Sequence, residues 1–436
     1  MNMYVKKYLA KAFLMTMMLA AIGVALKAQK VGNDFATQWK RVDELIGKGL
    51  TKSALDEVSG IYSSAKKSNN EPQVIKTLLY KMTLQENLEE NASIKSIDTL
   101  EREITATKEP AKSILQSITA QLYWNYYQQN RYRLYNRTNT VNFNKEDIAT
   151  WTADDLHRKI GELYLASIQD KNLLQQTKLE LFDAIIIKGN TRYLRPTLYD
   201  LLAHRALEYF ESDENDITRP AYAFEIKDKE AFAPPSEFIQ HKFITKDSAS
   251  LHQKALLIFQ DILAFHLNDA KADALIDADI ERIDFAHRYA VMDDKDTLYI
   301  EALQYIAQKY KDNAASAQAA FLVAQIIYNN ASQPSKNETK ISSYTVKQAK
   351  EMLDAIAKKF PQSEGGINSR NLINQILHPE INLTTEKVNV PEIPFRTLVS
   401  YKNFNTIYFR ILPLTEESKS QLQNFPIQNF KIIFYV

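Results

Sequence analysis

The chain has 436 residues, enough for two or three domains, and 45% of them are hydrophobic, an ordinary supply for a sizeable core. It contains no cysteine, which excludes disulfides, thiol nucleophiles and thiolate metal sites together. The formal net charge is +1, but four lysines and no acid fall in Met1–Ala28; beyond that segment 50 basic residues face 53 acidic ones, a net −3 that gives no electrostatic reason to expect nucleic acid.

Met1–Ala28 reads as a secretory signal peptide. Lys6, Lys7 and Lys11 form a positive start, Ala12–Ala25 is apolar but short for a membrane span, and the small residues of Gly23-Val24-Ala25 or Leu26-Lys27-Ala28 suit cleavage. An N-terminal membrane anchor is the alternative reading. No cysteine follows the apolar stretch, so a lipid-anchored form is not expected.

Nine glycines and thirteen prolines are few for this length and favour helix over turn-rich β architecture. Asp34–Lys48 carries Phe35, Trp39, Val42 and Leu45/Ile46 at helical spacing, with Gly47 and Gly49 marking its end. Leu50–Lys67 repeats the pattern, Pro72 opens a third helix through Leu88, and Ala92–Thr107 gives a fourth. Such helices, joined by short polar links, pack as antiparallel pairs. Pro110–Asn136 is longer and aromatic: Trp124, Tyr127 and Tyr135 can share a face, with Arg131, Arg133 and Arg137 beyond. Aromatics mixed with arginines suit stacking on a single strand of nucleic acid, and equally a core-facing helix with solvated arginines; the acidic balance and expected export favour the core. After the polar loop Asn144–Thr152, Asp154–Asp170 and Lys171–Ile187 form the next expected helix pair, with Gly189 as a stop.

Thr191–Phe210 is the centre of the helical run. Pro196 suits a first helical position, Leu198, Leu202, Ala206 and Tyr209/Phe210 make an apolar stripe, and Asp200, His204, Arg205 and Glu208 make a charged face. His204 lies one turn from both Asp200 and Glu208, a spacing compatible with a metal site and more simply with a structural polar cluster. Glu211–Asp247 follows without sustained period and with Pro220, Pro234 and Pro235; so long a connection is functional or a packed excursion, and it reads as the boundary of two helical subdomains.

Helices resume at Ser248 with Leu251–Leu267 and Lys271–Tyr289. Leu298–Tyr310 with Ala314–Tyr328, and Val346–Phe360 with Gly366–Leu377, then resemble tetratricopeptide-like hairpins whose Ala302, Ala319, Ala349 and Ala355 permit close approach. Tyr310 and Phe360 lie 50 positions apart, not 34, so a regular array is not expected and two ordinary helix pairs fit equally. After His378-Pro379 the pattern changes to β. Glu380–Val390 alternates, Arg396–Tyr401 and Thr406–Leu412 flank a turn at Asn403-Phe404-Asn405, and Ile427–Val436 holds a buried-strand run. So short a β segment reads as the opening of an unfinished sandwich, or else as a small appended sheet.

The chemistry of known catalytic motifs is absent. The seven histidines (His157, His204, His241, His252, His266, His287, His378) include no HExxH and no i, i+4 pair, and there is no phosphate loop, nucleophile elbow or dinucleotide fingerprint. No catalytic, cofactor-binding or metal residue is therefore assigned, and an enzyme is not expected.

Two stretches resemble the N-terminal part of the bacterial alpha-2-macroglobulin family of the Bacteroidota. One is Tyr123-Trp124-Asn125-Tyr126-Tyr127 with Asn130-Arg131 and the run Arg195-Pro196-Thr197-Leu198-Tyr199-Asp200-Leu201-Leu202-Ala203-His204-Arg205-Ala206-Leu207; the other is Val399-Ser400-Tyr401-Lys402-Asn403 followed by Tyr408-Phe409-Arg410-Ile411. The order signal peptide, long helical region, β domain is similar too. The resemblance implies a mainly α fold of stacked helix pairs, an α-solenoid in part tetratricopeptide-like, followed by an incomplete β-sandwich. In these terms the organisation is a signal peptide at 1–28, helical subdomains at 29–211 and 248–377 joined by the connection 212–247, and a truncated macroglobulin-like β domain at 378–436. The family inhibits endopeptidases by trapping them, many members through a Cys-x-Glu-Gln thioester; this chain has no cysteine and no recognisable bait segment. The expectation is an exported, non-catalytic module of the periplasm, cell envelope or exterior. Its partners would be proteins (proteases or envelope proteins), with no nucleic acid, no cofactor, and membrane contact only through the signal peptide. A free-standing periplasmic tetratricopeptide-like scaffold is the alternative.

Overall fold

The computed structural model describes residues 34–89, 91–135, 147–213, 222–332, 339–385, 393–394, 396–408, 410–412 and 433–435. The expected signal peptide, Arg137, Pro220, Val388, Val390 and most of Ile427–Val436 lie outside the described residues, as does the side chain of Tyr135. The protein is mainly helical. Its chain forms two compact units, Met1–Ala302 and Leu303–Val436, and the connection 212–247 falls within the first.

In the first unit α1 (Asp34–Gly47), α2 (Thr51–Lys67), α3 (Glu71–Glu86), α4 (Ala92–Ala106) and α5 (Ala111–Tyr135) pack each on the next. The links are local chemistry. Gly49 sits at φ 72° and closes α1, its N–H donating to Ile46 O and that of Leu50 to Leu45 O, a left-handed termination that glycine makes without strain. The Asn70 side chain accepts from Gln73 N to start α3 ahead of Pro72. Trp39, Val42, Val58, Ile61, Ile75 and Leu78 form the core between these helices. The long α5 packs on α6 (Ala153–Ser167).

The expected helix over Lys171–Ile187 is corrected. Only α7 (Lys171–Gln176) forms. Thr177 turns extended and its carbonyl accepts the N–H of Leu198, while Lys178 bridges Thr197. Leu179 and Phe182 are buried through a single 3-10 turn, and Ile187 ends 98% exposed. A tertiary pairing thus outweighs the local helical period. Gly189 consequently ends no helix, and α8 (Leu198–Phe210) starts at the N-cap Thr197 rather than at Pro196.

α8 is buried almost all round, with Glu208 its one exposed residue, so it is a central helix rather than one with a charged outer face. It packs on α5, α6, α7 and α10 (Leu251–His266). The segment between them is a packed excursion: its 3-10 turn Lys229–Phe232 and the short α9 (Pro235–Phe238) bury Phe232, Phe238 and Phe243. Gln260 Nε2 donates to Phe238 O and His241 O at 2.7 Å each. From α11 (Asp273–Tyr289), the fully buried Arg282 donates to Ala231 O (2.6 Å) and Ala233 O (3.0 Å), pairs with buried Asp279, and lies 4.3 Å over the Phe238 ring. One guanidinium thereby satisfies carbonyls that an irregular buried segment leaves open.

The division between the units falls inside α12 (Lys295–Lys309). In the second unit α13 (Ala317–Ser332), α14 (Thr339–Lys359) and α15 (Glu364–Leu377) all pack on one another around Phe321, Ala324, Leu353, Leu372 and Ile376. Of the alanines expected at close contacts, Ala319 and Ala349 are fully buried but Ala355 is exposed. The closest approach belongs instead to Gly365 and Gly366, where a Cβ would overlap the backbone of Ala317 and Phe360.

Beyond Leu377, β1 (Glu380–Thr385) pairs antiparallel with β2 (Thr397–Lys402), in register from Glu380 opposite Lys402 to Thr385 opposite Thr397. Asn403, at φ 59°, donates its side-chain amide to Ile376 O (2.7 Å) and His378 O (3.1 Å), tying the hairpin to the end of α15. The expected strand Thr406–Leu412 shrinks to β3 (Arg410–Leu412), which pairs in parallel with β4 (Ile433–Tyr435). Among the described residues the β region is thus two separate two-stranded ladders. Among them too, no helix is long and apolar enough to cross a membrane.

Candidate functional site

The polar groups of interest gather around α8. Thr197 and Asp200 form a capping box: Thr197 Oγ1 accepts from Asp200 N, and Asp200 Oδ2 accepts from Thr197 N (2.9 Å) and Oγ1 (2.8 Å). The other oxygen, Oδ1, accepts from His266 Nε2 at 2.8 Å, and His266 Nδ1 donates to Asp269 Oδ2 at 2.7 Å. Asp200 is 0% exposed and His266 2%. Burial alone would lower the pKa of His266, but the two carboxylates outweigh it and raise it, so the ring donates from both nitrogens as an imidazolium.

The spacing of Asp200, His204 and Glu208 does not make one cluster. His204 Nδ1 donates to the backbone carbonyl of Asp200 (2.7 Å), not to its carboxylate, and its Nε2 faces Glu281 Oε2 of α11 at 3.3 Å. Glu208 lies on the exposed side. Burial would raise the pKa of Glu281, but His204 and then Arg195, 3.7 Å away, hold it below the ordinary carboxylate range. Nearby Glu211 is pushed up to about 8 by burial and the charge of Glu281, against the opposing pull of Arg288. The remaining histidines are dispersed: His241 pairs with Asp228, His252 faces Asp213, and His287 pairs with Asp296. Among the described residues no group of three or more His, Cys, Asp or Glu is placed to hold a metal ion.

Trp124 and Tyr127 of α5 turn inward, whereas Tyr132 is 77% exposed. Trp124 and Tyr127 stack at 5.5 Å, Tyr127 meets His157 edge-on at 4.4 Å, and Trp124 meets Tyr209 edge-on at 5.1 Å. Tyr127, Tyr164, Tyr209 and Phe210 are fully buried in this cluster. Tyr209 Oη donates to His157 O at 3.1 Å and lies 2.9 Å from His157 Nδ1. Burial pushes His157 down to about 4, which keeps the ring neutral.

Beside this cluster lies a cavity of about 650 Å³. Its walls are α6, the C-terminal end of α8, residues 222–224, and residues 246–254 at the entry of α10. Arg158 on α6 is held by Asp155 (3.2 Å) and Glu162 (3.4 Å). Lys254 donates to Ser248 O (2.6 Å) and Ser250 O (3.1 Å), and Asp247 accepts from Phe224 N and Ala249 N. Among the described residues the arrangement offers no nucleophile with an adjacent base; it is a pocket in which Arg158, Lys254 and Asp247 are internally hydrogen-bonded, with a buried neutral histidine on its wall. A cavity of this size suits a small ligand.

Sequence spacing alone does not reach these residues, because His157 and Tyr209, or Asp200 and His266, meet only across separate helices. The readable signals were the capping boxes, Thr197 with Asp200 and Thr152 with Asp155. In comparisons with known proteins, no family model, no curated protein and no solved structure matches the chain.

Proposed function

We propose that this chain is the non-catalytic N-terminal portion of an exported alpha-2-macroglobulin-like protein, a helical scaffold that positions β domains at the cell envelope. The observation that carries the reading is the handover after Leu377, where a long succession of packed helices gives way to an antiparallel strand pair tied to the last helix through Asn403. That order of parts is the one the resemblance of Arg195–Leu207 and Val399–Ile411 implies. The scaffold's helix pairs are read as solenoid-like and in part tetratricopeptide-like, with α14 and α15 as a hairpin, and β1–β2 as the opening of a sandwich. Endopeptidase inhibition by trapping is the family's activity; with no cysteine for a thioester, this chain alone is expected not to inhibit. Its partners are proteases or envelope proteins.

A free-standing periplasmic scaffold is the second reading, favoured by the large apolar side chains of Leu181, Ile187 and Tyr193 that the segment before α8 leaves exposed. The reading frame downstream of codon 436 distinguishes them: continued macroglobulin-type β domains support the first, an unrelated gene the second. Export is tested by fractionating cells that carry the tagged chain. Retention of uncleaved protein in the cytosol would sink both readings.

A further inference from the structure

We infer that the cavity between α6, the end of α8 and the entry of α10 binds a short apolar peptide with free ends, its ammonium held at Asp154 and its carboxylate at Lys254. The volume, about 650 Å³, lies in the range of small-molecule sites. The lining charge is divided by wall. On α6 the acids Asp154, Asp155 and Glu162 outnumber one cation, Arg158, which Asp155 and Glu162 already hold. Residues 246–254 present the reverse: Lys246 and Lys254 outnumber Asp247, whose carboxylate accepts the N–H groups of Phe224 and Ala249. A ligand of one sign is drawn to one wall and repelled by the other. A ligand with one charge of each sign at its two ends suits both.

Two of these groups are reachable and unspent. Asp154 is exposed and Lys254 is half-buried, and among the described residues neither enters an ion pair. Lys254 Nζ donates to two neutral carbonyls, Ser248 O at 2.6 Å and Ser250 O at 3.1 Å, which fix the ammonium in place without neutralising it. An ammonium carries three N–H donors, so one remains for a ligand carboxylate. The apolar side chains on the lining are accessible as well. Leu165 on α6 and Tyr222 are both exposed, and Phe224 beside Tyr222 is half-buried. They stand on two different walls, so two apolar ligand side chains, rather than the one of a free amino acid, have surface to cover.

The test titrates the full chain calorimetrically with leucyl-leucine and leucyl-leucyl-leucine, and then with the N-acetylated and C-amidated forms of the tighter of the two. At least one free peptide is expected to bind with a Kd of about 1 mM or tighter. Each blocked form should bind about tenfold more weakly, the loss of one charge-assisted hydrogen bond. The variants should follow the ends of the ligand. Asp154→Asn should weaken the free peptide about tenfold and leave the N-acetylated form unchanged, while Lys254→Met should weaken the free peptide equally and leave the amide unchanged. A variant that only disturbed the fold would weaken all three forms alike. The proposal is overturned if neither free peptide binds, if either blocked form binds as tightly as the free one, or if Asp154→Asn, at an exposed position, leaves the free peptide unaffected or weakens all three forms equally.

Discussion

The sharpest consequence of the structure concerns the carboxylate at the start of α8. Asp200→Ala removes three things at once: the acceptor that closes the capping box, the acceptor for Thr197 Oγ1, and the partner of His266 Nε2 at 2.8 Å. Loss of a cap costs about 1 kcal/mol. Breaking a buried ion pair on one side only costs about 3–5 kcal/mol, because the remaining group, here a ring 2% exposed that keeps Asp269 at Nδ1 but loses its partner at Nε2, keeps its desolvation penalty. The two losses overlap in one side chain, so the expected sum is about 4 kcal/mol, or about 7 °C in melting temperature for a unit of this size. The pH dependence has a definite sign. His266 has its pKa raised in the fold, so its contribution is complete below the unfolded value of 6.5 and is lost as pH rises through the folded value. The deficit of Asp200→Ala relative to wild type should therefore be larger at pH 6 than at pH 9, as read by calorimetry and urea unfolding. Asp200→Ala/His266→Leu should recover part of the loss, since no buried imidazole with an unpaired Nε2 remains. A deficit under about 1 kcal/mol, or one that grows with pH, would refute the argument.

Three further outcomes are expected. His157, held neutral with its pKa down to about 4, destabilises the fold as pH falls from 6.5 through 4, by about 3 kcal/mol in all; the acid limb of a stability–pH curve should flatten in His157→Phe. Glu211 runs the other way: with its carboxyl pushed up from 4.5 to about 8, stability falls as pH rises between those values, so Glu211→Gln should melt higher than wild type at pH 9 and equal it near pH 4. Gly365→Ala should cost about 2 kcal/mol or more because its Cβ meets the Ala317 backbone, whereas Gly60→Ala, mid-helix in α2 with open space around it, should gain about 0.5–1 kcal/mol; equal thermal shifts for the two would contradict the close approach at α13.

Local pattern carried the helices that need no distant help. The stripe Phe35, Trp39, Val42 and the stop at Gly49 delimit α1, and a period of 3.6 with a capping residue is a property of a few neighbouring residues. The change to strands after His378 is legible for the same reason, since alternation over six residues marks β1. Tertiary structure decided the rest. It opened Lys171–Ile187 after Gln176 because Thr177 found a backbone partner in Leu198, and it buried the polar residues of α8 by bringing His266 and Glu281 to them. It also drew the irregular turn at Ala231–Ala233 onto Arg282, and it made a cavity wall of His157 through a bond to Tyr209. Those contacts join residues 21 to 77 positions apart, from Thr177 and Leu198 at the short end to His204 and Glu281, and periodicity has no memory over such distances. Only packing, which brings buried polar groups together so that each finds a partner away from water, selects which of them meet.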